Sequence, residues 1–176
     1  MRVFDKILLL IAALVFLGGL WFGIRFLSSA GLEYTQASEP IDVTIDPIQE
    51  AVVGEPLPVQ TLGKTRIYLF AQASYKLRGV LVSKRNYQRG PINRLAPWDY
   101  AMVWGKVPQH LKDIKFKQVV RFCLFRYKPG LQLDLKYIGE HFSNHHLIPA
   151  NANIRRALRQ GKKGMKVELE GFLVNV

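Results

Sequence analysis

The central part of the sequence reads Tyr75-Lys76-Leu77-Arg78-Gly79-Val80-Leu81-Val82-Ser83. Its side chains alternate with the two-residue period of a half-buried β-strand, and β-branched residues are frequent. Two later apolar runs, Lys117 to Tyr127 and Met165 to Val176, have the same character, and glycine- and proline-containing turns separate the three. In the last run, one face would carry Val167, Leu169, Gly171, Leu173 and Asn175. The sequence therefore predicts a mainly β domain.

Two of these strands share the pattern Leu-x-Gly-x-Leu-Val, with Gly79 in the first and Gly171 in the second. Glycine inside a strand often marks a bulge or a sharp bend, and small barrels need such points to close. The pattern favours a small, partly open β-barrel of oligonucleotide-fold type, α+β overall, with one or two short helices. A two-layer α+β sandwich is the alternative.

One helix has clear end signals. Asn151 or Asn153 can cap its N-terminus, and Gly161 can end it. Its apolar stripe would consist of Ile154, Ala157 and Leu158. The segment 97–103 is compatible with a second short helix, whose first turn would include Asp99. It contains Trp98, which we expect to lie in the core together with Trp104.

The N-terminus contains an uncharged apolar run from Ile7 to Ile24. As a helix this run would span about 27 Å, close to the hydrocarbon thickness of a bilayer. Arg2 and Lys6 precede it, and after Arg25 no cation follows until Lys64, which favours a cytoplasmic N-terminus. We therefore expect residues 1–27 to be a transmembrane anchor. A signal peptide cleaved after Ala30 is the alternative.

Residues 28–63 have the composition of an acidic, proline-containing linker, and the basic domain would then comprise residues 64–176. We expect a solvated tether, although an acidic arm lying on the basic domain, or a short edge strand over 41–45, would also fit. Residues 1–63 carry three basic and seven acidic side chains, whereas residues 64–176 carry twenty-two basic and six acidic ones. Such an excess attracts polyanions.

The single cysteine, Cys123, excludes an intramolecular disulfide and is interpreted as a buried, unreactive thiol.

Three of the four histidines lie between Glu140 and Asn151, a segment whose Pro149 and polar side chains favour a loop. The residues of this candidate functional loop are His141, Ser143, Asn144, His145 and His146. His141 and His145 would share a face only in a helix, and no strained elbow surrounds Ser143, so a metal site or a serine nucleophile is the less favoured interpretation. The favoured one is hydrogen bonding to backbone groups, with no cofactor and no metal.

A second candidate is a basic surface with interleaved aromatic residues. Its cations are Lys76, Arg78, Lys84, Arg85, Arg89 and Arg94, and its aromatic residues are Tyr75 and Tyr87. On a barrel, such aromatic side chains could stack on bases while the cations follow phosphates. The favoured interpretation is a solvated positive face, and a face for anionic lipid headgroups is a further alternative.

Several short motifs resemble those of an uncharacterised family of small bacterial proteins. The motifs are Ala73-Ser74-Tyr75, Gly79-Val80-Leu81-Val82, Tyr87, Pro97-x-Asp99, Trp104-Gly105, Arg121-Phe122, Asn144-x-His146-Leu147-Ile148-Pro149-Ala150 and Gly171-Phe172-Leu173-Val174. The resemblance covers roughly residues 65–176. It implies an N-terminal membrane segment and one extracytoplasmic domain, and it implies no activity. We expect the anchor to lie in the bacterial inner membrane and the domain in the periplasm.

These observations favour a membrane-tethered, non-enzymatic interaction or accessory module in the bacterial envelope, acting within a membrane protein complex. One alternative is a barrel that binds nucleic acid, anionic lipid or an envelope polymer. The other is a metal or hydrolase site in the histidine segment. The sequence predicts neither the partner nor the oligomeric state.

Overall fold

The computed structural model describes residues 40–175, with the side chains of Val53 and Glu55 left out. The expected transmembrane anchor, residues 1–27, and the candidate cleavage site at Ala30 lie outside the described residues. Among residues 40–175, no helix is long and apolar enough to cross a bilayer.

The described residues form strands, three short helices and a 3₁₀ turn at Val107–His110. The strands are β1 (Ile48–Pro56), β2 (Gln60–Leu62), β3 (Thr65–Ile67), β4 (Phe70–Asn86), β5 (Trp98–Val103), β6 (Ile114–Val119), β7 (Phe122–Tyr127), β8 (Phe142–Leu147) and β9 (Lys166–Asn175). The helices are α1 (Pro91–Leu95), α2 (Leu135–Glu140) and α3 (Ala152–Gln160). The prediction of a mainly β domain with few helices is confirmed.

The long strand β4 organises the main sheet, because three strands pair with it. Its residues Phe70–Lys76 pair with both β1 and β9, which must therefore lie on opposite edges. Val80 pairs with Val103 of β5 and with Lys166 of β9, so β5 continues the edge that β1 occupies. β8 then pairs with the outer side of β5. The resulting five-stranded sheet is open, and no closed barrel forms among the described residues.

Each face of this sheet carries its own apolar cluster. One face packs Val80, Val82, Ala101 and Val103 against α2 and against the separate hairpin of β6 and β7. The other packs Leu77, Leu81 and Met102 with Leu158 of α3 and with two tryptophans, Trp98 and Trp104. Trp98 and Trp104 are buried, as predicted. The alternation read at residues 75–83 thus places successive side chains of β4 in two different cores.

Three local predictions are wrong. The segment 97–103 is not helical, because all six residues of β5 are buried between the two clusters, and a strand can bury both of its faces. Residues 117–127 are not one strand but parts of β6 and β7, joined by a turn at Val120, whose φ is 55°. The histidine segment is not a loop: residues 142–147 form β8, ordered by pairing with β5.

Residues 40–63, expected to form a linker before the domain, belong to the same compact unit as the described residues that follow them. Val43 is buried in the first cluster, and its carbonyl oxygen accepts a hydrogen bond from the Gly105 amide at 2.8 Å. Strand formation begins at Ile48 rather than over residues 41–45. Residues 40–63 are therefore an integral part of the domain and not a solvated tether.

The two repeated glycines differ in role. A Cβ atom on Gly79 would lie 2.8 Å from the Val103 carbonyl oxygen, closer than real Cβ atoms come. Gly171 has open space around it and no positive φ. The bulge in this region lies instead between Ala71 and Ala73 of β4. Only Gly79 therefore supports the expectation that glycine is needed for a close backbone approach.

The predicted C-terminal helix is confirmed as α3. Asn151 is its cap, since Oδ1 accepts hydrogen bonds from the amides of Asn153 and Ile154, both at 2.9 Å. Leu158 is buried, but Ile154 is exposed, so the apolar stripe is shorter than expected.

Candidate functional site

The hairpin of β6 and β7 has one buried face and one exposed face. The buried face packs Ile114, Phe116 and Phe125 into the first apolar cluster, and Cys123 lies among them. Partial burial raises the pKa of the Cys123 thiol to about 11, which agrees with its interpretation as an unreactive side chain. The exposed face and the turn carry Lys115, Lys117, Val119, Val120, Phe122, Leu124 and Arg126.

The turn end of this hairpin is unusually apolar for a surface. Phe122 is 72% exposed, Val120 68% and Leu124 58%. Ile92 of α1 is 71% exposed and lies next to Asn93, whose Oδ1 accepts a hydrogen bond from Arg121 in the turn. Clustered exposed apolar side chains mark interaction surfaces more often than isolated ones do. We define the hairpin tip as Ile92, Val119, Val120, Phe122 and Leu124.

Arg121 anchors the hairpin tip to the sheet. Its Nη1 donates to Asp99 Oδ1 at 2.5 Å, and its Nη2 donates to Asn93 Oδ1 at 2.5 Å and to the Ala96 carbonyl oxygen at 2.8 Å. The guanidinium also stacks on Tyr87, 4.1 Å from the ring centroid. The positive φ of Val120 reverses the chain so that Arg121 points inward while its neighbours point outward. The tip is therefore held by charge-assisted hydrogen bonds rather than by apolar contacts.

Two amides brace the same turn from β6 and β8. Asn144 Nδ2 donates to the Arg121 carbonyl oxygen at 3.0 Å, and Gln118 Nε2 donates to Asn144 Oδ1 at 2.9 Å. The Gln118 carbonyl oxygen accepts from Arg85 Nη1 at 3.3 Å. Asn144, one of the candidate loop residues, thus has a structural role at the hairpin tip.

His146 shares the Asp99 carboxylate with Arg121. Its Nδ1 lies 2.8 Å from Asp99 Oδ1, while 49% of its side chain remains exposed. A carboxylate that orients an imidazole is the geometry of a general base, but such a base also needs a nucleophile or substrate within hydrogen-bond reach. Ser143 points to the face of β8 opposite to that of His146, and among the described residues no hydrogen bond joins Ser143 to a histidine.

His145 lies on the opposite face of the sheet from His146. Its Nδ1 donates to the Tyr100 carbonyl oxygen at 3.3 Å, and its Nε2 lies 3.1 Å from the Tyr75 hydroxyl. Burial lowers the pKa of His145, which favours the neutral imidazole.

His141 lies at the C-terminal end of α2, away from the other two. Its ring stacks on Tyr137 with centroids 3.7 Å apart, and its Nδ1 donates to the Tyr137 carbonyl oxygen at 2.9 Å. The three histidines therefore occupy three separate environments. Within the described part of the chain, no group of three potential ligands could hold a metal ion.

The structure divides the predicted basic surface into separate parts. Lys76 and Arg78 form salt bridges with Glu168 and Glu170 of β9. Lys84 donates to the carbonyl oxygens of Arg159 and Gly161 at the end of α3, and burial lowers its pKa. Arg85 binds the carbonyl of Gln118. The remaining two are exposed: Arg89 precedes α1 and Arg94 lies in its last turn, both close in sequence to Ile92 of the hairpin tip.

Sequence reasoning missed the hairpin tip and its cations. The available signal was Arg121 inside the apolar run 119–125, because a charge there must either end the strand or find a buried partner. Lys115, Lys117 and Arg126 alternate with inward residues, so strand periodicity could have placed them outward once the turn was recognised.

No protein-family profile, curated protein or solved structure matches this chain.

Proposed function

We propose that the protein is a membrane-tethered, non-enzymatic interaction module of the bacterial envelope. The apolar run at residues 7–24 and the distribution of cations around it support a single-pass anchor in the inner membrane, with the N-terminus in the cytoplasm and the domain in the periplasm. A partly open barrel of oligonucleotide-fold type is part of this proposal, supported by the long β4 with its three partner strands.

The observation that carries the proposal is the exposed hairpin tip with its buried anchor. Ordinary surfaces tolerate scattered apolar side chains, but here they cluster on a turn that Arg121 holds in place. A preorganised apolar surface loses little conformational entropy on binding. The histidines support a non-enzymatic role, because Nδ1 of each one contacts a structural partner and, among the described residues, no hydrogen bond joins Ser143 to a histidine.

The test uses the full chain in bacterial membranes. The chain should resist alkaline carbonate extraction, and an alkaline phosphatase reporter fused after Val176 should be active. A photo-crosslinking residue at position 122 should form adducts, whereas the same residue at the exposed position 152 on α3 should form none. Carbonate-soluble protein, an inactive reporter, or equal adduct formation at both positions would refute the proposal.

One observation favours polyanion binding as a second candidate. Residues 84–98 and 114–127, which include the hairpin tip, contain eight basic and no acidic residues. Binding to DNA or to another anionic polymer would then weaken steeply with salt. Failure of the full chain in detergent to bind immobilised DNA at low salt would exclude nucleic acid.

A further inference from the structure

We propose that the hairpin tip inserts into the interfacial region of an anionic phospholipid bilayer and so docks the domain on the membrane. This inference rests on the proposed function and names the partner of its interaction surface. It assigns roles to residues that the sequence patterns did not single out.

The apolar part of the surface has the form of a shallow membrane wedge. Val120 and Phe122 flank the inward-turned Arg121 at the end of the hairpin, and Val119 pairs with Phe122 across it. Interfacial elements insert large apolar side chains to the level of the headgroups while the backbone stays hydrogen-bonded. The ladder of β6 and β7 satisfies backbone groups next to the tip, because six residue pairs extend to Val119 and Phe122.

The charges of the hairpin call for an anionic partner. Lys115 and Arg126 are direct cross-strand neighbours on the exposed face. Like charges directly opposite each other destabilise a β-ladder, and a phosphate between them would remove that repulsion. Lys117 lies one exposed position closer to the tip, so the apolar tip is backed by a band of cations. Apolar residues at the end and cations behind them match the order of acyl chains and anionic headgroups in a bilayer.

The length of chain before the domain permits this contact. Fourteen residues separate Arg25 from Pro40, where the described structure begins. An extended chain of that length spans at most about 50 Å. The expected anchor would thus keep the domain near a bilayer surface, where local concentration favours even a weak contact.

Spin labelling of the full chain in vesicles can distinguish a lipid bilayer at the hairpin tip from a second copy of the chain or another protein. The label is attached at Phe122→Cys in a Cys123→Ser background, with Leu124→Cys as a second probe of the tip. Ala152→Cys in the same background is the matched control, because α3 packs on the opposite face of the sheet. Flotation and carbonate washing of the same vesicles report separately on the anchor, so failure of the proposed function is not confused with failure of this inference.

In vesicles containing phosphatidylglycerol, labels at 122 and 124 should become accessible to oxygen and shielded from a water-soluble nickel chelate. The label at 152 should stay accessible to the chelate. Neutralising Lys115 and Lys117 with Gln should lower the ratio of docked to free tip roughly fivefold per charge. Pure phosphatidylcholine should weaken docking similarly.

Equal chelate accessibility at 122, 124 and 152 in anionic vesicles would overturn the inference. Spin–spin broadening at 122 would also overturn it by showing that a second copy covers the tip. Shielding of the label at 122 from both oxygen and the chelate would also overturn the inference, because it would indicate that another protein covers the hairpin tip.

Discussion

Arg121 in the turn of an exposed hairpin donates to Asp99 at 2.5 Å, although the Asp99 side chain is entirely buried in the sheet. This ion pair connects the most exposed apolar surface among the described residues to the central strand β5. The ion pair explains why Arg121 interrupts the apolar run 119–125. The turn has few apolar contacts with the sheet, and the hydrogen bonds of the guanidinium hold it there instead. The consequences for stability can be tested directly.

Replacing Arg121 with Ala should lower the free energy of unfolding by about 3–5 kcal/mol, because it leaves a buried carboxylate without its cation. Arg121→Lys should recover only part of this loss, since an ammonium cannot reproduce the forked contacts to Asp99, Asn93 and Ala96. Arg126→Ala on the exposed face of the same hairpin is the control. Equal thermal unfolding midpoints for the Arg121→Ala and Arg126→Ala variants would contradict the role of Arg121 in holding the hairpin tip to the sheet.

Gly79→Ala should destabilise the domain by about 1–3 kcal/mol, because the new methyl group would overlap the Val103 carbonyl oxygen. Gly171→Ala is the matched change in the paired strand, and we expect it to be neutral or slightly stabilising. Chemical denaturation of both variants measures the difference. A larger loss at Gly171 than at Gly79 would show that β4 and β5 do not approach as closely as described.

Asn151→Ala should cost about 1 kcal/mol, because two amides in the first turn of α3 would lose their acceptor. Asn153→Ala removes the same side chain two positions later, where it accepts only from Arg156 within the described part of the chain. Thermal unfolding followed by circular dichroism should give a lower midpoint temperature for Asn151→Ala than for Asn153→Ala. The reverse order would contradict the assignment of the cap.

His145 should make stability depend on pH in the weakly acidic range. Burial lowers its pKa in the folded state below the ordinary value of 6.5, so the unfolded chain binds the proton more readily. The contribution of neutral His145 is therefore fully present above pH 6.5 and is lost as the pH falls from there through the folded-state pKa.

The measurement compares unfolding midpoints between pH 7.5 and 5.5, above the range in which the lowered pKa of Glu168 acts. His145→Gln should show a smaller decrease over this interval than the unsubstituted chain. An unchanged slope in the variant would exclude His145 as the cause.

Local patterns in the sequence determined several features. Alternation identified the strands around residues 75–83 and 165–176, and two candidate caps, Asn151 and Asn153, together with Gly161 bounded the one well-marked helix. Such signals are read correctly because backbone periodicity and capping depend on neighbours within a few residues. The mainly β character and the burial of Trp98 and Trp104 follow from the same local information.

Tertiary contacts decided the rest. Pairing with β5 turned a polar, histidine-containing segment into β8, and burial on both faces turned a helix-compatible segment into β5. Neither cause lies within the segment itself, which is why local propensity failed in both.

The candidate site depends most strongly on long-range contacts. The sequence by itself determined that a cationic β domain follows an apolar segment. Only the tertiary structure brought Arg121 to Asp99, paired the predicted cations Lys76 and Arg78 with acids of β9, and left the hairpin tip exposed. The physical reason is that the free energy of a charge depends on the groups around it in space, and these come from strands distant in sequence.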